Sequence, residues 1–309
     1  VYSVSYLGSY MSDLYYGGDW NSLPGDLIIN NGVRKRLTSE WGQIEYNKAG
    51  LSANYNGVVF ALRQSYKNLF WQTSYTWSHA LQHAPNAGQA NSATTQLFSE
   101  VYNPNQYYGN ASYDRTNVFS LVATYSVPKL TSHSWINQLT AWQLGTIITA
   151  QSGTPFTVVN SAPFPIPTDS DPLGGGYLAD EQNFGVPSYN GTHHGGWSRD
   201  QARKGVFPNG TADFSAPANF PAVLGEGNQG ANTFRNPGYF VVDANVSKAF
   251  RLPWFNGEQS TFLLRGEANN LLNRANLGPI NNDTNATFFG QSTVASSPRF
   301  LQIGGRFEF

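Results

Sequence analysis

Arg299–Phe309, RFLQIGGRFEF, is the stretch that decides the fold. Taken at every second residue it separates into two sets. Leu301, Ile303, Gly305, Phe307 and Phe309 form one, and Phe300, Gln302, Gly304, Arg306 and Glu308 form the other. Successive side chains of a strand point to opposite faces, so one face of this ribbon is apolar and the other carries both charges. A half-buried strand of a soluble all-β protein would look like this, and so would a strand with lipid on one side. The strands upstream have to separate the two.

The same alternation recurs. Asn54–Arg63 sets Val58, Phe60 and Leu62 against Gly57, Ala61 and Arg63, and a tight turn near Tyr66-Lys67-Asn68 leads into Leu69–Ser78. There Trp71, Thr73, Tyr75 and Trp77 oppose Gln72, Ser74, Thr76 and Ser78. Val1–Gly8, Asn117–Ser126, Ile136–Gln151, Tyr239–Phe250 and Thr261–Leu272 follow the rule as well, so about eight strands are expected. Runs of about ten residues are long enough to cross a bilayer on the slant.

Composition agrees with a two-faced sheet. Charged residues make up only 12% of the 309, about half the globular norm of roughly 25%. Aromatic residues make up 15%, yet mean hydropathy is only -0.38, because uncharged polar residues fill the gap. A barrel with lipid outside and water inside requires such a mixture. The net charge of -1 lacks the basic surplus of a nucleic-acid binder. With no cysteine, disulfides and thiolate metal sites are excluded. No apolar run of about 18 residues is present to make a spanning helix. The opening VYSVSYLGSY has neither an initiator Met nor a charged leader, and implies a sequence that begins inside a longer protein.

Connection lengths alternate. Those after the first, third, fifth and seventh strands are long, at about 9–53, 81–113, 152–237 and 273–298; the others are short. Within the first, LPGDLIINNG is expected to form a helical turn and Gln43–Asn47 a short extra strand. Short turns at one end and long loops at the other are the pattern of outer-membrane barrels, with the long loops extracellular. A soluble sandwich has no reason to segregate them.

Several segments, in order, resemble those of Oar-like TonB-dependent outer-membrane receptors of Gram-negative bacteria. They are SANYNGVVFALRQSYKNLFWQTSYTWSHAL, the strand start at Asp114-Arg115, QSGTPFTV, NPGYFVVDANVSKAF, LLRGEANNLLNRANLGPI and the closing SSPRFLQIGGRFEF. The resemblance implies an all-β, antiparallel up-and-down transmembrane barrel, of which this chain is the C-terminal portion of a total of about 22 strands plugged by a globular domain. It implies uptake of an extracellular ligand with energy relayed by TonB through a plug that has no counterpart here. It also implies that the barrel-assembly machinery reads Leu301, Ile303, Phe307 and Phe309 as a C-terminal signal.

Candidate chemistry is sparse. Arg63, Arg265, Glu267, Arg306 and Glu308 fall on the expected lumen face, because a charge on the lipid face at mid-membrane costs about 2–4 kcal/mol. Trp71, Trp77, Trp142 and Tyr75 read as lipid-interface aromatics, and Tyr177, Tyr189 and Trp197 as ligand contacts in the longest loop. His79 and His83 have a ligand spacing that only a helix would exploit. His193-His194 reads more plainly as a solvated loop pair, and His133 completes the five histidines. Asp169-Ser170-Asp171 and Asn281-Asn282-Asp283 lack the full spacing of a calcium loop and fit turns. Without a Gly-x-Ser-x-Gly elbow or a Ser-His-acid spacing, the chain is expected not to be an enzyme and to need no cofactor. The alternative to a transporter is a structural or adhesive outer-membrane barrel whose loops bind surfaces.

Overall fold

The structure is a computed structural model. It describes residues 1–309 except 22–26, 31–32, 35–36, 39, 42–43, 84–107, 129–139, 161–186, 217–222, 225–226, 253–259 and 309. In chain order the elements are β1 (Tyr2–Asp19), β2 (Leu27–Asn30), β3 (Val33–Arg34), β4 (Glu45–Tyr66), β5 (Leu69–His83), β6 (Tyr108–Asn110), β7 (Asn117–Ser126), β8 (Gln143–Gln151), β9 (Pro155–Phe156), β10 (Ser188–Tyr189), α1 (Arg199–Lys204), a 3₁₀ turn (Gly210–Asp213), β11 (Phe214–Ser215), β12 (Val223–Leu224), β13 (Phe234–Arg235), β14 (Tyr239–Arg251), β15 (Thr261–Asn269) and β16 (Phe300–Glu308).

A nine-stranded sheet dominates, running β1-β4-β5-β7-β8-β14-β15-β16, with β6 added against β5. Every pairing along that path is antiparallel. This is an up-and-down meander of the eight long strands, and it stays open, with β1 and β16 as its edges.

The register sorts the side chains. Val4, Phe60, Tyr75, Phe119, Ala150 and Phe240 stand in one cross-strand row. Nearer the short-turn end, Tyr66, Leu69, Tyr125, Leu144, Val246, Gly266 and Ile303 stand in another. The opposite face carries Ser3, Ala61, Ser74, Ser120, Thr149 and Val241 in one row. Its apolar members, such as Val122 and Ile147, are scattered among small polar residues.

Among the described residues no second layer covers the aromatic-rich face, apart from the loop residues that overhang one end of it. Trp77 is 59% exposed and Ile303 81%. So extensive a mainly apolar surface is untenable in water and is what a bilayer would cover. Its two central threonines keep their hydroxyls satisfied, Thr73 donating to the Ser120 carbonyl (3.0 Å) and Thr146 to the Asp243 carbonyl (2.9 Å), as a water-free setting demands.

The first hairpin is longer than its alternation suggests. Ser9–Asp19 and Lys48–Ala53, expected as loop, belong to β1 and β4, which run beyond the span of the other strands. The pattern is interrupted because β1 carries register shifts between Met11 and Tyr15, with Asp13 in the left-handed region (φ 58°). A bulge of this kind switches which residues face which way. Glu45–Asn47 is part of β4 rather than a separate strand. Leu27–Asn30, expected in a helical turn, is instead β2, paired to β3 and β12. Of the strand expected from Ile136, residues 136–139 lie outside the described residues and the strand begins at Gln143; the one expected to Leu272 ends at Asn269.

Candidate functional site

The buried apolar cluster lies outside the long strands. It is formed by Phe156, Val158, Tyr189, Ala202, Val206, Phe207, Phe234, Ile280 and Phe289. Two long connections supply it, the one between β8 and β14 and the one between β15 and β16. The short pairs β9–β13 and β10–β11 frame it. Phe207 stacks on Phe289 at 5.1 Å, and Phe234 meets Tyr189 edge-on at 5.0 Å. Helix α1 is held by a capping box between Ser198 and Gln201 and turns Ala202 inward. Ser292 N donates to the Ala202 carbonyl and Val206 N to the Gly290 carbonyl, which join the two connections. Gly290 has φ +75°, and a Cβ there would press on the Phe207 ring at 3.0 Å, so only glycine serves.

Four sequence motifs fasten this unit to the ends of the strands. Asp114, whose side chain is 1% exposed, pairs with Arg235 at 2.6 Å and accepts from Ala80 N at 2.7 Å. Arg115 donates to the Ser152 carbonyl. At QSGTPF, a Cβ on Gly153 would collide with the Asn236 carbonyl. In Asn-Pro-Gly, the Asn236 side chain donates to Thr154 and accepts from Ile280 N at 2.8 Å. At the exit of β15, Asn270 and Asn273 are both left-handed, at φ 52° and 49°, a conformation Asn tolerates. Buried Asn270 donates its backbone N–H to Asp243, and its side chain bonds Arg274 and Ser297. Asn232 joins β6 to the unit through two bonds with Asn110.

The expected site residues are distributed as follows. Tyr189 is buried in the aromatic cluster, its hydroxyl donating to the His193 carbonyl at 2.9 Å. Burial pushes this phenol up from its ordinary pKa; the His193 bond opposes the rise and Asp213 adds to it. Trp197 packs on the edge of the cluster and donates Nε1–H to the Arg235 carbonyl. Tyr177, Phe309 and Asp169-Ser170-Asp171 lie outside the described residues.

Arg63, Arg265, Glu267, Arg306 and Glu308 share the polar face: Arg63 is opposite Gln72, Arg265 between Ser247 and Gly304, Glu267 between Asn245 and Gln302, Arg306 opposite Leu263, and Glu308 opposite Thr261. Arg265 pairs with Glu267, and Arg306 with Glu308 at 3.2 Å. Leu301, Ile303 and Phe307 share the apolar face opposite Ala268, Gly266 and Phe262. His79 and His83 are on the apolar face of β5, engaged with Asn110 and Ser52. Asn281 and Asp283 accept from backbone N–H groups two residues on, as turn residues do.

The Asp114–Arg235 pair was not foreseen as a pair. Asp114-Arg115 was legible as a strand start, but Arg235 is 121 residues away and carries no local signal.

An open meander with one lipid-suited face and one mixed polar face defines a membrane-spanning β-barrel protein. The chain belongs to the outer membrane beta barrel domain family, matched over residues 1–302. Its location is therefore the outer membrane, with the apolar face toward lipid. No curated protein and no solved structure matches the chain.

Proposed function

We propose that the chain is the barrel portion of an Oar-like TonB-dependent receptor, which takes up an extracellular ligand using energy relayed by TonB. The observation that carries this reading is the polar face. Its rows are built largely of small residues such as Ser74, Ser120 and Thr149, and it bears two ion pairs with half-exposed members. A closed eight-strand barrel fills its interior with side chains. Small polar residues on an open sheet suit a wider lumen, one that holds water or a plug. In that reading Arg63, Arg265, Glu267, Arg306 and Glu308 contact the plug, TonB engages the plug from the periplasm, and the assembly machinery binds the β16 face of Leu301, Ile303 and Phe307 with Phe309. No enzymatic step is assigned.

Profiling of the growth medium tests the reading, with cells that make or lack the whole receptor and with or without TonB. At least one compound should be depleted only when both are present. If none is, the transport reading fails. The folded extracellular unit then favours the adhesive alternative, since a rigid aromatic-cored cap can present a surface without any uptake.

A further inference from the structure

Where the loop unit meets the apolar face it leaves an open groove of about 660 Å³. The floor is the aromatic row of the sheet, Tyr75, Phe119 and Ala150. The overhanging side is Trp197 and Arg199 from the loop unit and Arg274 from the β15 exit. Among the described residues no Asp or Glu lines it. The Arg274 guanidinium lies 5.3 Å over the Phe240 ring, and its Nε is buried without a hydrogen-bond partner. Arg199 is exposed, and the neighbouring acid of α1, Asp200, is taken by Lys204 at 2.9 Å. Among the described residues neither arginine is in an ion pair.

The depth of the groove decides what it meets. β7 begins at Asn117, β8 ends at Gln151 and β14 begins at Tyr239, and all three residues line the groove. It therefore sits on the lipid side at the extracellular ends of the strands, level with the outer-leaflet head groups. Arginine forks match phosphate oxygens, and basic pockets at this level between membrane-spanning elements suit anionic head groups. Acyl chains would continue down the apolar rows below.

We propose that this groove binds the phosphate-bearing head group of an outer-leaflet lipid, with Arg199 and Arg274 taking the phosphate and Tyr75 and Phe119 the adjoining apolar part. The inference rests on outer-membrane placement with the long connections outside the cell, so it stands or falls separately from TonB-driven uptake.

The test uses the full chain in phosphatidylcholine nanodiscs doped with lipid A or with its dephosphorylated form, retained lipid being counted by mass spectrometry. Lipid A should be retained at least tenfold over the dephosphorylated form. Arg199→Glu should abolish that preference, and Arg199→Lys should keep most of it. Because Arg199 is exposed and unpaired, the Glu variant keeps the fold, which its strand circular dichroism checks; Arg274→Gln is the second variant. Equal retention of both lipids, or full retention by Arg199→Glu, overturns the proposal. Complete displacement of lipid A by millimolar inorganic phosphate also overturns it, because the site would then be one for free phosphate.

Discussion

Asp114→Asn should loosen the loop unit while leaving the sheet intact. The carboxylate is almost fully buried and the Arg235 side chain is 23% exposed. The amide can still accept from Ala80 N, where the carboxylate does so at 2.7 Å. Arg235, however, loses its anionic partner and keeps only the Gly153 carbonyl at 3.4 Å. Removing one member of a buried pair costs about 3–5 kcal/mol; water reaching Arg235 lowers this to about 2–3 kcal/mol. At about 1.4 kcal/mol per factor of ten, the unit should open roughly 30- to 150-fold more often. Hydrogen exchange on the lipid-reconstituted protein reads this directly. Amides of 152–160 and 227–236 should exchange faster, while β4, β5 and β14 stay protected. In Asp114→Asn/Arg235→Gln no lone buried cation remains, so much of the loss should be recovered in a double-mutant cycle. Unchanged exchange in 152–160 and 227–236 would falsify the account, and so would equal loss across the sheet.

Three further outcomes are expected. Phe234→Ala removes a fully buried ring from the loop cluster and should cost about 3–5 kcal/mol there. Trypsin should then cut at Arg199, Arg203 or Lys204 while the barrel survives; unchanged cleavage rejects the idea that this cluster holds the unit together. Ile148→Arg, on the apolar row between Leu121 and Val242, should lose about 2–4 kcal/mol and fold poorly into bilayers. Thr149→Arg, one residue on and facing the other way, should fold nearly as well as the wild type, and equal yields would overturn the assignment of faces. Since burial raises the Tyr189 pKa, the folded unit holds this proton more tightly than the unfolded chain. Its contribution is therefore complete below about pH 10 and is lost as pH climbs through the higher folded value. Protease resistance of the wild-type unit should fall in that window, and Tyr189→Phe should be less sensitive there; an identical alkaline profile in the two would refute it.

The long strands were legible because their environment imposes a period of two on every residue. Lipid on one side and a mixed polar space on the other leave little freedom in Leu69–Ser78 or Tyr239–Phe250, and the spacing of short and long connections followed. The loop unit was not legible for the opposite reason. Phe156, Phe207, Phe234 and Phe289 come from separate segments, and no window contains enough of them to show a period. Tyr189 and Trp197 read as free ligand contacts because an aromatic in a Gly- and Asn-rich stretch has no visible partner until the chain folds back. Asp114, Gly153, Asn236 and Asn270 each lay in a motif that marked a strand end, but their mutual contacts could not be read from any of those motifs alone.

Register provides a check that alternation within single strands does not. A slip of one residue in any pairing would turn one strand's apolar set to the polar side. Seven pairings separate β1 from β16, and all preserve the same two faces, from Tyr6 beside Val58 to Phe262 beside Phe307. The charges obey the same constraint even where they seem to violate it. Lys248 is the one Lys or Arg among the described strand residues of the apolar rows, and its position explains the exception. It sits three residues from the short-turn end of β14, and its Nζ reaches the Ala141 carbonyl at 3.1 Å while passing 5.9 Å over the Phe250 ring. Its ammonium is thus held by protein groups at the turn end of the strand. The residue is 5% exposed, so protein rather than lipid covers the amine, as the cost of burying an unsatisfied ammonium requires. The assignment of faces therefore rests on the rows, and Lys248 leaves it standing because its charge is met within the protein.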